Sequence, residues 1–204
     1  YLSLCSMHTR RPIWTNEIWH HIQNELNKGM NVGPPNYRDS GNSVSKAVTW
    51  ALQNRLESCG TTNLRCSISV FSAISPWVEA ILFWSASKLR RNVRITSVDF
   101  NPCVLVDIPP NVVECQSTLS LVERPDTAFD LTVSYSGIEH DGLGRYGDPV
   151  NPEGDISAMR EMWLATRPGG LLLVRSLLTL IFDCSSLYVN YSIAKIPLTL
   201  IIDL

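Results

Sequence analysis

A chain of 204 residues and 22.8 kDa is long enough to bury one substantial core without disulfides or a structural metal. Hydrophobic residues make up 45%, charged residues 18% and mean hydropathy is +0.03, which excludes a disordered chain and a coiled coil. Lys and Arg total 17 against 19 Asp and Glu, a net charge of −2, so bulk basicity does not point to nucleic acid. No apolar run is long enough for a transmembrane helix, and no basic-apolar-small signal opens the sequence. The sequence starts at Tyr1 rather than Met, so further residues are expected before it. The compartment is left open, with the cytoplasm favoured. Cys5, Cys59, Cys66, Cys103, Cys115 and Cys184 contain no C-x-x-C pair, which argues against zinc. Free, mostly buried thiols are expected, with one or two bridges in an oxidising compartment as the alternative.

The first predicted element is a helix from Asn16 to Lys28, capped by Thr15 and stopped by Gly29. Its apolar face is Ile18, Trp19, Ile22 and Leu26. Turn-forming residues from Asn31 to Asn42 separate it from a second helix, Val44 to Glu57, with Ser43 before it. Cys66 to Phe71 then reads as a buried strand. Ser75 and Pro76 suit the cap and first position of a third helix, with Val78, Ile81, Leu82, Ser85 and Leu89 along one side. Arg94 to Asp99, Val112 to Cys115 and Phe129 to Tyr135 are the next strands. Asn151-Pro152 opens a helix expected to turn Ile156, Met159, Trp163 and Leu164 inward. Pro168-Gly169-Gly170 ends it and leads into the strand Leu171 to Val174.

Strands alternating with helices predict an α/β fold, a doubly wound, Rossmann-like, mostly parallel sheet. Three regions are expected: an N-terminal helical segment (1–60), the Rossmann-like domain (61–175) and an atypical apolar C-terminal segment (176–204). That last segment reads either as one or two extra strands or as an aberrant end. It carries the sequon Asn190-Tyr191-Ser192.

Ligands of such sheets bind beyond the carboxyl ends of the strands, where the strand order switches. Asp99 ends the second core strand, where a carboxylate accepts the ribose hydroxyls of an adenosine cofactor; a helix cap or solvated strand end is the plainer reading. After the first core strand, Ser72, Ala73 and Ser75 stand where nucleotide loops normally carry glycine. The helix beginning at Pro76 still offers free N–H groups to a ligand. The richest stretch follows the strand ending at Tyr135. It holds Glu139, His140, Asp141, Arg145, Tyr146, Asp148, Glu153 and Asp155 among four glycines, a mixture of acid, base and anion-binding groups. A self-satisfied surface loop is the alternative. No metal site is expected from Glu139, His140, Asp141 and Asp148. His20-His21 reads as solvated or core histidine. Lys88, Arg90, Arg91 and Arg94 read as a helix-end cluster, not a nucleic-acid patch.

The segments SVDFNP around Asp99, PDTAFDLTVSYS around Asp130 and RPGGLLLV from Arg167 to Val174 resemble class I S-adenosylmethionine-dependent methyltransferases. More narrowly, VFSAISPWVEAI and SGIEHDGLGRYGDPVNPEGDISAMREMW resemble a family of Caenorhabditis proteins of unknown function that has bacterial relatives. The resemblance spans about Ser67 to Arg175 and implies S-adenosylmethionine as cofactor. Asp99 is then expected on the ribose and Ser72, Ala73 and Ser75 beneath the methionine part. Glu139, His140, Asp141, Arg145 and Tyr146 are expected around an unknown acceptor, with His140 or Asp141 taking its proton. Two other readings stand beside it. One is a catalytically inactive Rossmann-like interaction or scaffold protein, and the other is group transfer with another nucleotide ligand.

Overall fold

The computed structural model describes residues 11–34, 39–56, 65–109, 111–118 and 128–175, and residues 199–203 as backbone. Cys5, Cys59, Cys184, the sequon at Asn190 and residues 176–198 lie outside the described residues.

Six strands form one sheet: β2 (Cys66–Phe71), β3 (Val93–Asp99), β5 (Val113–Ser117), β6 (Phe129–Tyr135), β7 (Thr166–Arg175) and β8 (Thr199–Asp203). Their order is β5-β3-β2-β6-β7-β8, with every neighbouring pair parallel except β7 and β8. The chain therefore winds outward from β2 to β5, then returns to lay β6 on the other side of β2. That reversal opens a crevice beyond the carboxyl ends of β2 and β6, the place where doubly wound sheets bind ligands.

Alternation along the strands explains the two cores. Ile68, Val70, Ile95, Leu131, Val133, Leu171 and Leu173 face one side, and Phe71, Val98, Leu172 and Val174 face the other. The first side is covered by α1 (Asn16–Asn27), α2 (Ser40–Asn54) and α3 (Trp77–Lys88). The second is covered by α4 (Gly154–Ala165) through Ala158 and Met162. On this second side the hydroxyls of Ser69, Thr132 and Thr166 chain together at 2.9 and 2.8 Å and end on the Met162 carbonyl at 2.8 Å. Complete pairing is what makes a buried polar row tolerable.

Several expectations need correction. Thr15 caps α1 as expected, its Oγ1 accepting from the Ile18 N–H at 3.3 Å. Helix α2, however, starts a turn early, because Asp39 adopts φ 63° and its carbonyl accepts from the Ser43 N–H. Helix α3 begins at Trp77, and it is buried nearly all round instead of along one side. The reason is its middle position, between the sheet and the outer layer of α1 and α2. Helix α4 is rotated from the apolar pattern: Met159 packs against the core as expected and Ala158 and Met162 are buried, but Ile156, Trp163 and Leu164 are exposed. Pro168-Gly169-Gly170 lies within β7, at a register shift against β6, instead of ending the helix. Two strands carry no forecast at all. β1 (Ile13–Thr15) and β4 (Val104–Val106) form a separate parallel pair.

The expected free thiols are also corrected. Cys103 and Cys115 form a disulfide with Cα atoms 5.4 Å apart, and Cys66 is disulfide-bonded too. The first bond ties the segment entering β4 to core strand β5. Closing so short a loop restricts the unfolded chain, so Cys103→Ser/Cys115→Ser is expected to lose about 3 kcal/mol in urea unfolding. An unchanged midpoint would show that the bond leaves the unfolded chain unconstrained.

No helix among the described residues is long and apolar enough to cross a membrane. His20 and His21 are exposed on α1.

Candidate functional site

A cleft of about 270 Å³ occupies the switch point between β2 and β6. Three post-strand loops build it. The first leaves β2, and its opening residue, Ser72, takes φ 59° while its N–H continues the ladder to the Val98 carbonyl at 2.9 Å. A left-handed serine thus makes the turn that glycine would make, at a strain of roughly 1–3 kcal/mol. The loop after β6 begins the same way, with Ser136 at φ 49°. The two loops touch directly: a Cβ on Gly137 would lie 2.5 Å from the Ser72 Cβ and 2.7 Å from its carbonyl oxygen. Only glycine permits that approach.

The second loop leaves β3 at Asp99. Its Oδ1 accepts from the Asn101 N–H at 2.8 Å, and Asn101 Nδ2 donates to the Tyr146 carbonyl at 2.5 Å, joining the second loop to the third. Burial pushes the Asp99 carboxyl up to about 6, Asp148 adding to it and the Asn101 N–H opposing.

The third loop is wound around Asp148. Its Oδ2 accepts from the N–H groups of Gly142 and Gly144 at 2.8 and 3.1 Å, and Oδ1 from Tyr146 at 3.1 Å. Three backbone donors on one carboxylate hold this loop as a rigid unit. Inside it, Asp141 accepts a hydrogen bond from Ser72 Oγ at 3.2 Å. Burial pushes the Asp141 carboxyl up to about 7, the Ser72 hydroxyl opposing and Asp99, Asp148 and Glu161 adding to the rise. His140 meets Tyr146 edge-on with ring centroids 5.9 Å apart.

The cleft brings together Ser72, Ala73, Ser75, Asp99, His140, Asp141 and Tyr146 from the sequence-derived candidates. Glu139 and Arg145 stand apart from its lining. Glu139 is buried and accepts from Ser136 Oγ at 2.6 Å, holding the start of the loop. Arg145 is exposed, its guanidinium 5.5 Å from the Tyr146 ring centre. Sequence reasoning missed Asp148 as organiser, Asn101 as link, and the walls Pro12, Pro34 and Tyr135. Trp77 and Tyr135 meet edge-on at 4.8 Å. Asp148 sits six and four residues beyond two glycines of its own loop, the spacing of a side chain closing a tight turn, and that signal was readable. Pro12 and Pro34 come from distant segments and had none. Among the described residues, no group of three or more His, Cys, Asp or Glu is placed to hold a metal.

Fold and site together define a doubly wound α/β domain with an acidic, aromatic cleft at its topological switch point. The chain belongs to the family described as Caenorhabditis protein of unknown function, DUF268, whose model matches residues 69–196. No curated protein matches it significantly. Among solved structures it is similar to a protein from Listeria monocytogenes, provisionally assigned as a class I S-adenosylmethionine-dependent methyltransferase. That match has 17% identity and a TM-score of 0.42, covering 85% of this chain and 55% of the other. The chain thus spans about half the length of that protein. A ribosomal RNA methyltransferase, also provisionally assigned, from Plasmodium falciparum matches at 14% identity and a TM-score of 0.37, covering 70% and 79%. Superpositions this loose carry no argument about chemistry.

Proposed function

We propose that the cleft binds S-adenosylmethionine and that the chain transfers its methyl group to an amine or hydroxyl acceptor. The observation that carries this reading is Asp99, a carboxylate at the end of β3 and on the wall of the switch-point cleft. One of its oxygens is used by the Asn101 N–H, which leaves the other for a ribose hydroxyl. The residues present fit the group. The lining carries Asp99, Asp141 and Asp148 with no Lys or Arg among the described residues, an anionic surface suited to a sulfonium cation. Ser72, Ala73 and Ser75 would lie beneath the methionine part.

When bound, S-adenosylmethionine supplies a methyl group on a sulfonium sulfur, open to in-line displacement by a nucleophile. The chain's own residues orient the acceptor and take its proton. Asp141, titrating near 7, is matched to a general base at neutral pH, and the Ser72 hydroxyl fixes its orientation. His140 and Tyr146 complete the polar wall, while Trp77 and Tyr135 exclude water. The same negative lining disfavours phosphate-bearing acceptors. The bonded cysteines favour an oxidising compartment over the cytoplasm for this chain.

Calorimetric titration with S-adenosylmethionine and S-adenosylhomocysteine tests the reading. Micromolar binding is expected, weakened at least tenfold by Asp99→Ala, the loss of a charged hydrogen-bond acceptor. A folded chain that binds neither compound would instead favour the interaction-protein reading.

A further inference from the structure

Strand β1 lies outside the main sheet, yet it touches two of the three loops that build the cleft. On one side it pairs with β4, Ile13 opposite Val104 and Thr15 opposite Val106. Just before it, Arg11 Nε donates to the Pro102 carbonyl at 2.7 Å, and the Val104 N–H donates to the Pro12 carbonyl at 2.8 Å. These bonds grip the segment that follows Asp99. On the other side, the Trp14 indole N–H donates to the Ile74 carbonyl at 3.1 Å, in the loop that follows β2. Trp14 is 1% exposed, so its ring is fixed by packing and its donor has one direction. Pro12 itself lines the cleft.

The loop from Ser72 to Pro76 needs such a tie. It starts from a left-handed serine, has no glycine, and leaves the Ile74 side chain 54% exposed. Little apolar burial at Ile74 holds its backbone in place, so an outside donor on its carbonyl sets where the loop stands.

We propose that Trp14 is a positioning residue for the cleft: its indole N–H holds the Ile74 carbonyl, and β1 thereby braces the Ser72–Pro76 loop against the Asp99 loop. The N-terminal strand is then part of the ligand site. Because coupling is reciprocal, a ligand bridging both loops also tightens β1. The ligand half of this inference rests on the S-adenosylmethionine reading; the bracing half does not.

Trp14→Phe keeps an aromatic ring in the core and removes the N–H. Hydrogen exchange without ligand is expected to quicken about tenfold at Ser72 to Trp77, with the amides of β2, β3 and β6 unchanged. In calorimetry, S-adenosylhomocysteine affinity is expected to fall about tenfold, the worth of one hydrogen bond. A tryptophan that only fills space would lower the melting temperature without the local change at 72–77, and that result overturns the proposal. If the unmodified chain binds no S-adenosylhomocysteine, the cofactor reading fails, while exchange at 72–77 still decides the role of Trp14. Should Trp14→Phe not fold, Arg11→Ala, at an exposed position, loosens the same brace from its other end. Exchange about threefold faster at 72–77 is expected there, and no change overturns the brace.

Discussion

Glu79→Gln is expected to stabilise the folded chain by about 4 kcal/mol near pH 8 and to change it little near pH 4. Glu79 sits on α3, wholly enclosed between the sheet and the outer helices. Neither carboxylate oxygen makes a well-formed hydrogen bond among the described residues. Burial pushes its carboxyl up to about 8, with its own backbone N–H and the Ser97 hydroxyl opposing and Asp99 adding a little. In the unfolded chain the same group loses its proton near its ordinary value of 4.5. Between those two values the folded state binds more protons than the unfolded one, so stability falls as pH rises. The contribution is fully present below pH 4.5 and is lost as pH climbs through about 8. Glutamine cannot ionise and escapes that loss, whereas near pH 4 it replaces a carboxylic acid of similar shape and polarity. Urea unfolding of both chains at the two pH values measures the difference. Asp141 titrates alike in both and cancels, while the small repulsion between Glu79 and Asp99 belongs to the difference measured. An equal shift at both pH values would mean that the substitution acts through packing alone. Asp99, pushed up only to about 6, still ionises at neutral pH despite its burial.

How far the sequence could be read depends on how local each cause is. The main-sheet strands from Cys66 to Val174 were legible because each is an apolar run bounded by turn residues, and their alternation with helices implied a parallel sheet. The carboxyl ends of such strands then marked the loops after Phe71, Asp99 and Tyr135 as the ligand edge, and these three loops do line the cleft. What local pattern could not show is tertiary. β1 and β4 have three residues each, too short for any period, and exist only because each satisfies the other's backbone groups. Helix α4 presents Ala158 and Met162 inward in spite of Trp163 and Ile156, because its N-terminus is seated against the loop backbone and that seat fixes its rotation. Glycine is the usual residue in a nucleotide loop, but a serine at position 72, held by its ladder bond to Val98, accepts the same left-handed turn. The landmark Asp130 belongs to the other end of the sheet. It accepts from the Ser67 N–H at 2.7 Å and pairs with Arg167 at 2.7 Å, fastening β2, β6 and β7 far from the cleft.

The seat of α4 leads to the second large effect: Gly154→Ala is expected to cost either about 3 kcal/mol of stability or the ligand affinity of the cleft, according to which side gives way. Gly154 is the first residue of α4, and alanine is the better helix former by up to about 1 kcal/mol. On local propensity alone the substitution would stabilise. Tertiary contact reverses the sign. A Cβ there would press on the Asp141 carbonyl oxygen and lie 2.5 Å from the Gly142 Cα and 2.6 Å from the Asp141 carbonyl carbon. All of these are backbone atoms, so no side chain can swing away to make room. Nor can the loop yield freely, since Asp148 holds the N–H groups of Gly142, Gly144 and Tyr146 together. Either α4 lifts from Phe71, Ile138 and Leu172, or the loop shifts toward the cleft and carries His140 and Asp141 with it. The first movement appears as lost stability in denaturant, the second as lost affinity for S-adenosylhomocysteine at retained stability. An alanine variant more stable than the parent, with cofactor affinity intact, would mean that the loop and helix are not locked together, and the rigid third wall of the cleft would have to be abandoned.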